Sequence, residues 1–119
     1  MTDRELLERA AKAIGMEYNE RRTPYPSPAL YRGVTGPVEY QGWWNPFKDD
    51  GDALRLAVAL HMEHCNYGAI QLAAVKVINQ WLPNRFIRLE EYYSRGDDPT
   101  AATRRAIVRA AAAIGEAMP

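Results

Sequence analysis

Three side chains able to bind metal or act as nucleophile and base stand close together in this chain: His61, His64 and Cys65. On a helix, spacings of i, i+3 and i+4 bring such groups to one side, as in part of a zinc site or a thiol beside a base. The chain holds only two histidines and one cysteine. Zinc needs three or four protein ligands, and Glu63 points elsewhere on the same helix. A cysteine nucleophile needs an oriented base and an oxyanion loop, and no such loop is visible. Cys65 is therefore expected to be a buried small thiol.

Asp49, Asp50 and Asp52 form a second cluster. A calcium loop alternates its ligands ahead of a glycine and adds a later glutamate, which Asp-Asp-Gly-Asp does not do. At the start of a helical run these carboxylates are expected to cap the helix and to favour its N-terminal dipole. Gly33, Gly36 and Gly42 make no phosphate loop, and no hydrolase elbow is present. No catalytic residue, cofactor site or metal-ligand set is assigned.

Arg104, Arg105 and Arg109 line the polar side of a C-terminal helical run and are the candidate contacts to a partner or to phosphate. Arg85, Arg88 and Arg95 lie nearby in sequence. Fifteen Lys and Arg balance fifteen Asp and Glu, whereas a general nucleic-acid binder carries a basic excess. A nucleic-acid role is thus the alternative, and a protein partner the first reading. Trp81, Tyr92 and Tyr93 are the candidate exposed aromatic surface, which would mark a partner site.

The elements that must position these groups follow from periodicity and punctuation. Thr2-Asp3-Arg4-Glu5 is a capping box ahead of Leu6, Leu7, Ala10, Ala11 and Ile14, which predicts a helix over 3–14 stopped by Gly15. Pro24, Pro26 and Pro28 predict an extended loop within 16–29. From Leu30 to Trp44 two strands are expected around Thr35-Gly36-Pro37, with Val38, Tyr40 and Trp44 on one face and Trp43 on the other. A second helix, nearly apolar all round, is expected from Asp50 or Asp52 to Cys65, buried centrally, with Leu54 and Val58 in the core. Residues 69–79 and 85–92 predict a second hairpin around Leu82-Pro83-Asn84, with one long helix over 69–82 as the alternative. Asp98 and Pro99 cap and open a last helix whose buried stripe is Thr103, Ile107, Ala110, Ala111 and Ile114, with Gly115 ending the pattern. Arg9-Ala10-Ala11-Lys12-Ala13-Ile14-Gly15 is echoed by Arg109-Ala110-Ala111-Ala112-Ala113-Ile114-Gly115, so both terminal helices present a small-residue face.

Together these readings give an α+β protein of one domain, 1–119. The expected order is α-ββ-α-ββ-α, with about four antiparallel strands and helices on both faces of the sheet. A lone cysteine fits a reducing cytoplasm, the N-terminus has no signal-peptide core, and no apolar run reaches the roughly 18 to 20 residues of a membrane span.

Two segments carry a resemblance. Trp44-Asn45-Pro46-Phe47-x-x-Asp50-Gly51-Asp52-Ala53-Leu54-Arg55-Leu56-Ala57-Val58 and the run from Asp98-Pro99 to Ile114-Gly115 resemble small bacteriophage and prophage proteins described as phage αβα-sandwich domains, related to NinX-like phage proteins. The opening Thr2-Asp3-x-Glu5-Leu6-Leu7 also fits. The resemblance implies an α/β/α layering and phage origin; with the lone thiol, the expected location is the cytoplasm of the host bacterial cell. It implies no activity, and no functional residue transfers. On these grounds the expected function is a non-enzymatic accessory protein that binds a host or phage protein.

Overall fold

In the computed structural model, which describes the backbone of residues 1–18, 29–35 and 38–119 and the side chains of 1–16 and 44–119, the capping box forms as the sequence predicts. Thr2 Oγ1 accepts from the Glu5 amide at 3.2 Å, and Glu5 Oε2 accepts from the Thr2 amide at 3.2 Å. Helix α1 runs Asp3–Ala13 and buries Leu6, Leu7, Ala10 and Ala11. Gly15 takes a φ of 75°, and the chain turns into strand β1, Met16–Tyr18. Strands β2, Ala29–Thr35, and β3, Val38–Trp44, follow. They pair antiparallel in the order β1-β2-β3, with Thr35 opposite Val38 and Ala29 opposite Trp44. Of the extended loop expected within 16–29, residues 16–18 instead form β1 and Ala29 opens β2; residues 19–28, the residues 36–37 of the expected turn and the side chains of Val38, Tyr40 and Trp43 lie outside the described residues.

A turn built by Asn45 joins β3 to helix α2, Asp50–Ala59. The Asn45 carbonyl accepts the amides of Lys48 and Asp49, and its side-chain oxygen accepts the Phe47 amide at 3.0 Å. Asp49 caps α2 through the Asp52 amide at 2.8 Å. Helix α2 is shorter and less buried than expected. Ala53, Leu56 and Ala57 face the core, whereas Leu54 and Val58 expose 54% and 65% of their surface. The apolar composition of this helix does not translate into burial on every side, so its central placement is corrected.

The helix also stops six residues before Cys65. Met62 donates its amide to Ala57 and His61 donates to Val58, the paired bonds of a Schellman stop. His61 occupies the left-handed position with a φ of 55°. Without a glycine there, the sequence carries no visible stop. Strand β4, Glu63–Tyr67, takes the place of the expected helical turn.

A short turn, Gly68–Ile70, leads to strand β5, Leu72–Ile78. A second turn, Pro83–Arg85, leads to strand β6, Phe86–Tyr92. This hairpin matches the expected one, and the helical alternative over 69–82 is excluded. β4, β5 and β6 form a second antiparallel sheet in that order. The order is therefore α-βββ-α-βββ-α, in place of the expected α-ββ-α-ββ-α. Six strands in two three-stranded sheets replace the four expected in one, because β1 lies in the segment read as loop and β4 in the segment read as the end of the second helix.

Helix α3, Pro99–Ala117, is the central element. It packs on β4, β5 and β6 and also against α1 and α2. Eight of its residues are buried, among them Ile107, Val108, Ala110, Ala111 and Ile114. The alanine faces of α1 and α3 meet as the repeated Ala-Ala motif suggests. The two helices run parallel: Arg105 faces Asp3, and Lys12 reaches the Met118 carbonyl at 3.1 Å. Gly115 does not end α3 but lies within it. A Cβ there would sit 1.9 Å from the Arg9 carbonyl oxygen.

Val75 and Val77 of β5, with Ile87 and Leu89 of β6, face this helical layer. Alternate residues on the other face, including Tyr67, Lys76, Ile78, Phe86, Arg88, Glu90 and Tyr92, are exposed. The second sheet thus has helical cover on one face, which corrects the expectation of helices on both.

Candidate functional site

The arginines of α3 are engaged within the molecule. Arg104 is only 13% exposed; its Nε donates to the Phe47 carbonyl at 2.7 Å, and its other nitrogens pair with Asp50 and Asp98. It joins the start of α3 to the start of α2. Arg105 pairs with Asp3 at 3.3 Å and Glu91 at 3.7 Å, and lies over the Phe47 ring. Arg109 pairs with Glu91. Each guanidinium already faces a carboxylate, so this side of α3 presents less free positive charge than the sequence implies.

The three aspartates at the start of α2 have separate tasks. Asp49 is the cap, Asp50 holds Arg104, and Asp52 is buried. Asp52 accepts the Asn45 amide at 2.9 Å and the Arg55 guanidinium at 2.7 Å. The Trp44-Asn45-Pro46-Phe47 segment is thus a structural joint. At the start of α3, Asp98 accepts the Thr100 amide at 2.9 Å, and that backbone hydrogen bond lowers its pKa.

His61, His64 and Cys65 do not share a helix face. His61 lies in the turn after α2, while His64 and Cys65 are successive residues of β4 and point to opposite faces of the sheet. Cys65 is exposed and does not fit the expected buried thiol. Among the described residues, no group of three or more His, Cys, Asp or Glu side chains is placed to hold a metal ion. No helix of these residues is long and apolar enough to cross a membrane.

The surface that remains is the outer face of the second sheet. Its cross-strand rows can be read from the register. Tyr67, Leu72 and Tyr92 form one row; Cys65, Ala74 and Glu90 the next; Glu63, Lys76 and Arg88 the third; Ile78 and Phe86 the last. Apolar rows therefore flank a polar centre. Ile78 and Tyr92 expose 77% and 70% of their surface, and Phe86 48%. The small side chains of Cys65 and Ala74 leave a groove of about 150 Å³ between Tyr67 and Arg88. Arg88 donates to Glu90 at 2.9 Å, which raises its pKa further. The β5–β6 turn places Trp81 exposed beside this sheet, with its amide held by Asn79 Oδ1 at 2.9 Å.

Of the three aromatics singled out from sequence, Trp81 and Tyr92 are exposed. Tyr93 is half-buried and donates its hydroxyl to Asn66 at 2.6 Å. Asn66 in turn donates to the Pro99 carbonyl and Thr103 Oγ1, tying β4 to α3. Sequence reasoning missed Tyr67, Ile78 and Phe86. The signal was present in the alternation of β6, but the adjacent apolar pairs Val77-Ile78 and Phe86-Ile87 hide which member faces out.

A second apolar surface lies on α2, where Leu54 and Val58 line a cavity of about 310 Å³ with Ile14, Met16 and Trp44. No family model, curated protein or solved structure matches the chain.

Proposed function

We propose that the protein is a non-enzymatic accessory protein that binds another protein through the outer face of the β4–β6 sheet. The reading is carried by the apolar side chains exposed there: Tyr67, Ile78, Phe86 and Tyr92 stand on one sheet face, beside Trp81. Large apolar groups left in water around a polar centre are a recurrent mark of partner surfaces, and aromatics dominate the energy of such contacts. The phage origin and the host-cytoplasm location rest on the sequence resemblance and the lone thiol. A nucleic-acid role for Arg104, Arg105 and Arg109 is the weaker reading, because all three guanidinium groups have carboxylate partners within the chain.

Affinity capture from bacterial lysate tests the proposal. Tyr67→Ser/Ile78→Asp changes only exposed side chains of this face. Proteins retained by the parent are expected to be lost by the variant while the melting temperature is kept. Equal retention by both, or no retained protein with the parent, refutes it.

A further inference from the structure

Among the described residues strand β6 is an open edge, with β5 as its only strand neighbour, and its register holds without a bulge from Phe86 opposite Ile78 to Tyr92 opposite Leu72. It carries no proline, and its charges, Arg88, Glu90 and Glu91, are of both signs. The other edge, β4, is shorter and is tied to the start of α3 through Asn66.

The hydrogen bonds at the two ends of the β5–β6 pair fix which backbone groups face outward. The Tyr93 amide donates to the Gln71 carbonyl, and the Asn79 amide donates to the Arg85 carbonyl. In an antiparallel ladder such close pairs alternate. Ile87, Leu89 and Glu91 therefore direct their N–H and C=O groups to β5. Phe86, Arg88, Glu90 and Tyr92 direct theirs away from the sheet, and among the described residues nothing pairs with them.

We propose that this edge pairs with the same edge of a second copy of the chain, antiparallel about a two-fold axis at Leu89, joining two sheets into one of six strands. This register brings all four outward-facing residues into hydrogen-bonding pairs. Arg88 lies opposite Glu90 of the second copy, and Glu90 opposite its Arg88. Phe86 lies opposite Tyr92 of the second copy at both ends. On the inner face Leu89 meets Leu89, and Ile87 meets a Glu91 whose charge Arg105 and Arg109 already hold. Shifting the pairing by two residues sets Arg88 against Arg88 or Glu90 against Glu90 and removes both aromatic pairs, and like charges directly opposite are unfavourable. Shifting by one residue leaves the outward-facing amides without acceptors. The charges and aromatics of one seven-residue strand are complementary to themselves in a single register.

The inference deepens the protein-binding reading by giving the edge of that surface its own partner. Its test uses β6 charges alone, so either reading can fail without the other. In light scattering at about 100 µM, a concentration suited to a small interface, the full chain is expected at twice its 13.5 kDa mass. Arg88→Glu and Glu90→Arg are each expected to be monomeric. Their equimolar mixture is expected to dimerise, because each reversed charge then meets its opposite. The double variant Arg88→Glu/Glu90→Arg keeps every pair and is expected to dimerise, and it also keeps the intrastrand ion pair should the single variants fold poorly. A monomeric parent, dimeric single variants, or a monomeric double variant overturns the proposal.

Discussion

Replacing Gly115 by alanine should destabilise the protein, although helix propensity alone argues the opposite. Within a helix, alanine is favoured over glycine by about 1 kcal/mol. Gly115 lies where α3 meets α1, and an added Cβ would stand 1.9 Å from the Arg9 carbonyl oxygen and 2.7 Å from its carbonyl carbon. Ordinary contact begins at 3.4 Å, so the helices must part by about 1.5 Å. The obstacle is backbone in the middle of a helix and cannot swing aside as a side chain would. Parting the helices loosens the packing of Ala10, Ala11, Ala110 and Ala111, all at most 1% exposed. Overpacking of this kind costs about 3 kcal/mol at the upper end of the usual range. Setting that against the propensity gain leaves a net loss of about 2 kcal/mol. For 119 residues the unfolding entropy is about 0.25 kcal/mol per degree, so the melting temperature should fall by about 8 °C. Circular dichroism melts of Gly115→Ala and Gly68→Ala read this directly. A Cβ at Gly68 meets nothing within 4 Å, so that variant serves as the control. If Gly115→Ala melts at or above the parent, the close approach of α1 and α3 is not a constraint and the reasoning fails.

Leu56→Ala should cost about 2–5 kcal/mol, since Leu56 is fully buried, whereas Leu54→Ala should cost under about 1 kcal/mol; denaturant titration of both separates the two faces of α2, and equal losses would contradict the placement. The lowered pKa of Asp98 means that its ionised form stabilises the fold above the ordinary carboxylate range, and that this contribution is lost as pH falls through the lowered folded value. Asp98→Asn keeps a capping oxygen but does not titrate, so its melting-temperature deficit against the parent should close on acidification; a deficit that stays constant from neutral to acid pH refutes the assignment. Duplex DNA should bind weaker than micromolar at physiological salt, and Arg105→Ala/Arg109→Ala should leave that binding little changed. Submicromolar binding that collapses in the double variant would favour the nucleic-acid reading.

Elements announced by local chemistry were legible in the sequence. Thr2 with Glu5, Asp98 with Pro99, and the β-branched run ending at Ile78 each act over three or four neighbouring residues, and each appears where expected. What was not legible depends on tertiary context. The stop of α2 falls on His61, which takes the left-handed position with no glycine to announce it, so nothing in the local sequence separates β4 from the helix. Leu54 and Leu56 are the same residue type two positions apart, and only tertiary packing, with α3 against α2, decides which is buried. Gly115 reads as a terminator in sequence, and only the neighbouring backbone reveals it as a point of close approach. The candidate surface was half legible. Trp81 and Tyr92 stand out by type, but the exposure of Ile78 and Phe86 follows from which face α3 covers.

The parallel contact between α1 and α3 bears on how the chain reaches its native state. Asp3 meets Arg105 and Lys12 meets Met118, partners separated by 102 and 106 positions. Parallel neighbours cannot be joined by a tight loop, so everything between them must be made before they meet. During synthesis the apolar stripe of α1 precedes its cover on α3 by about a hundred residues and waits for it uncovered. The interface between α1 and α3 therefore forms late, after closure of a loop of about a hundred residues. Folding is expected to be slow for a domain of this size and to expose Leu6 and Leu7 to chaperones in the interval.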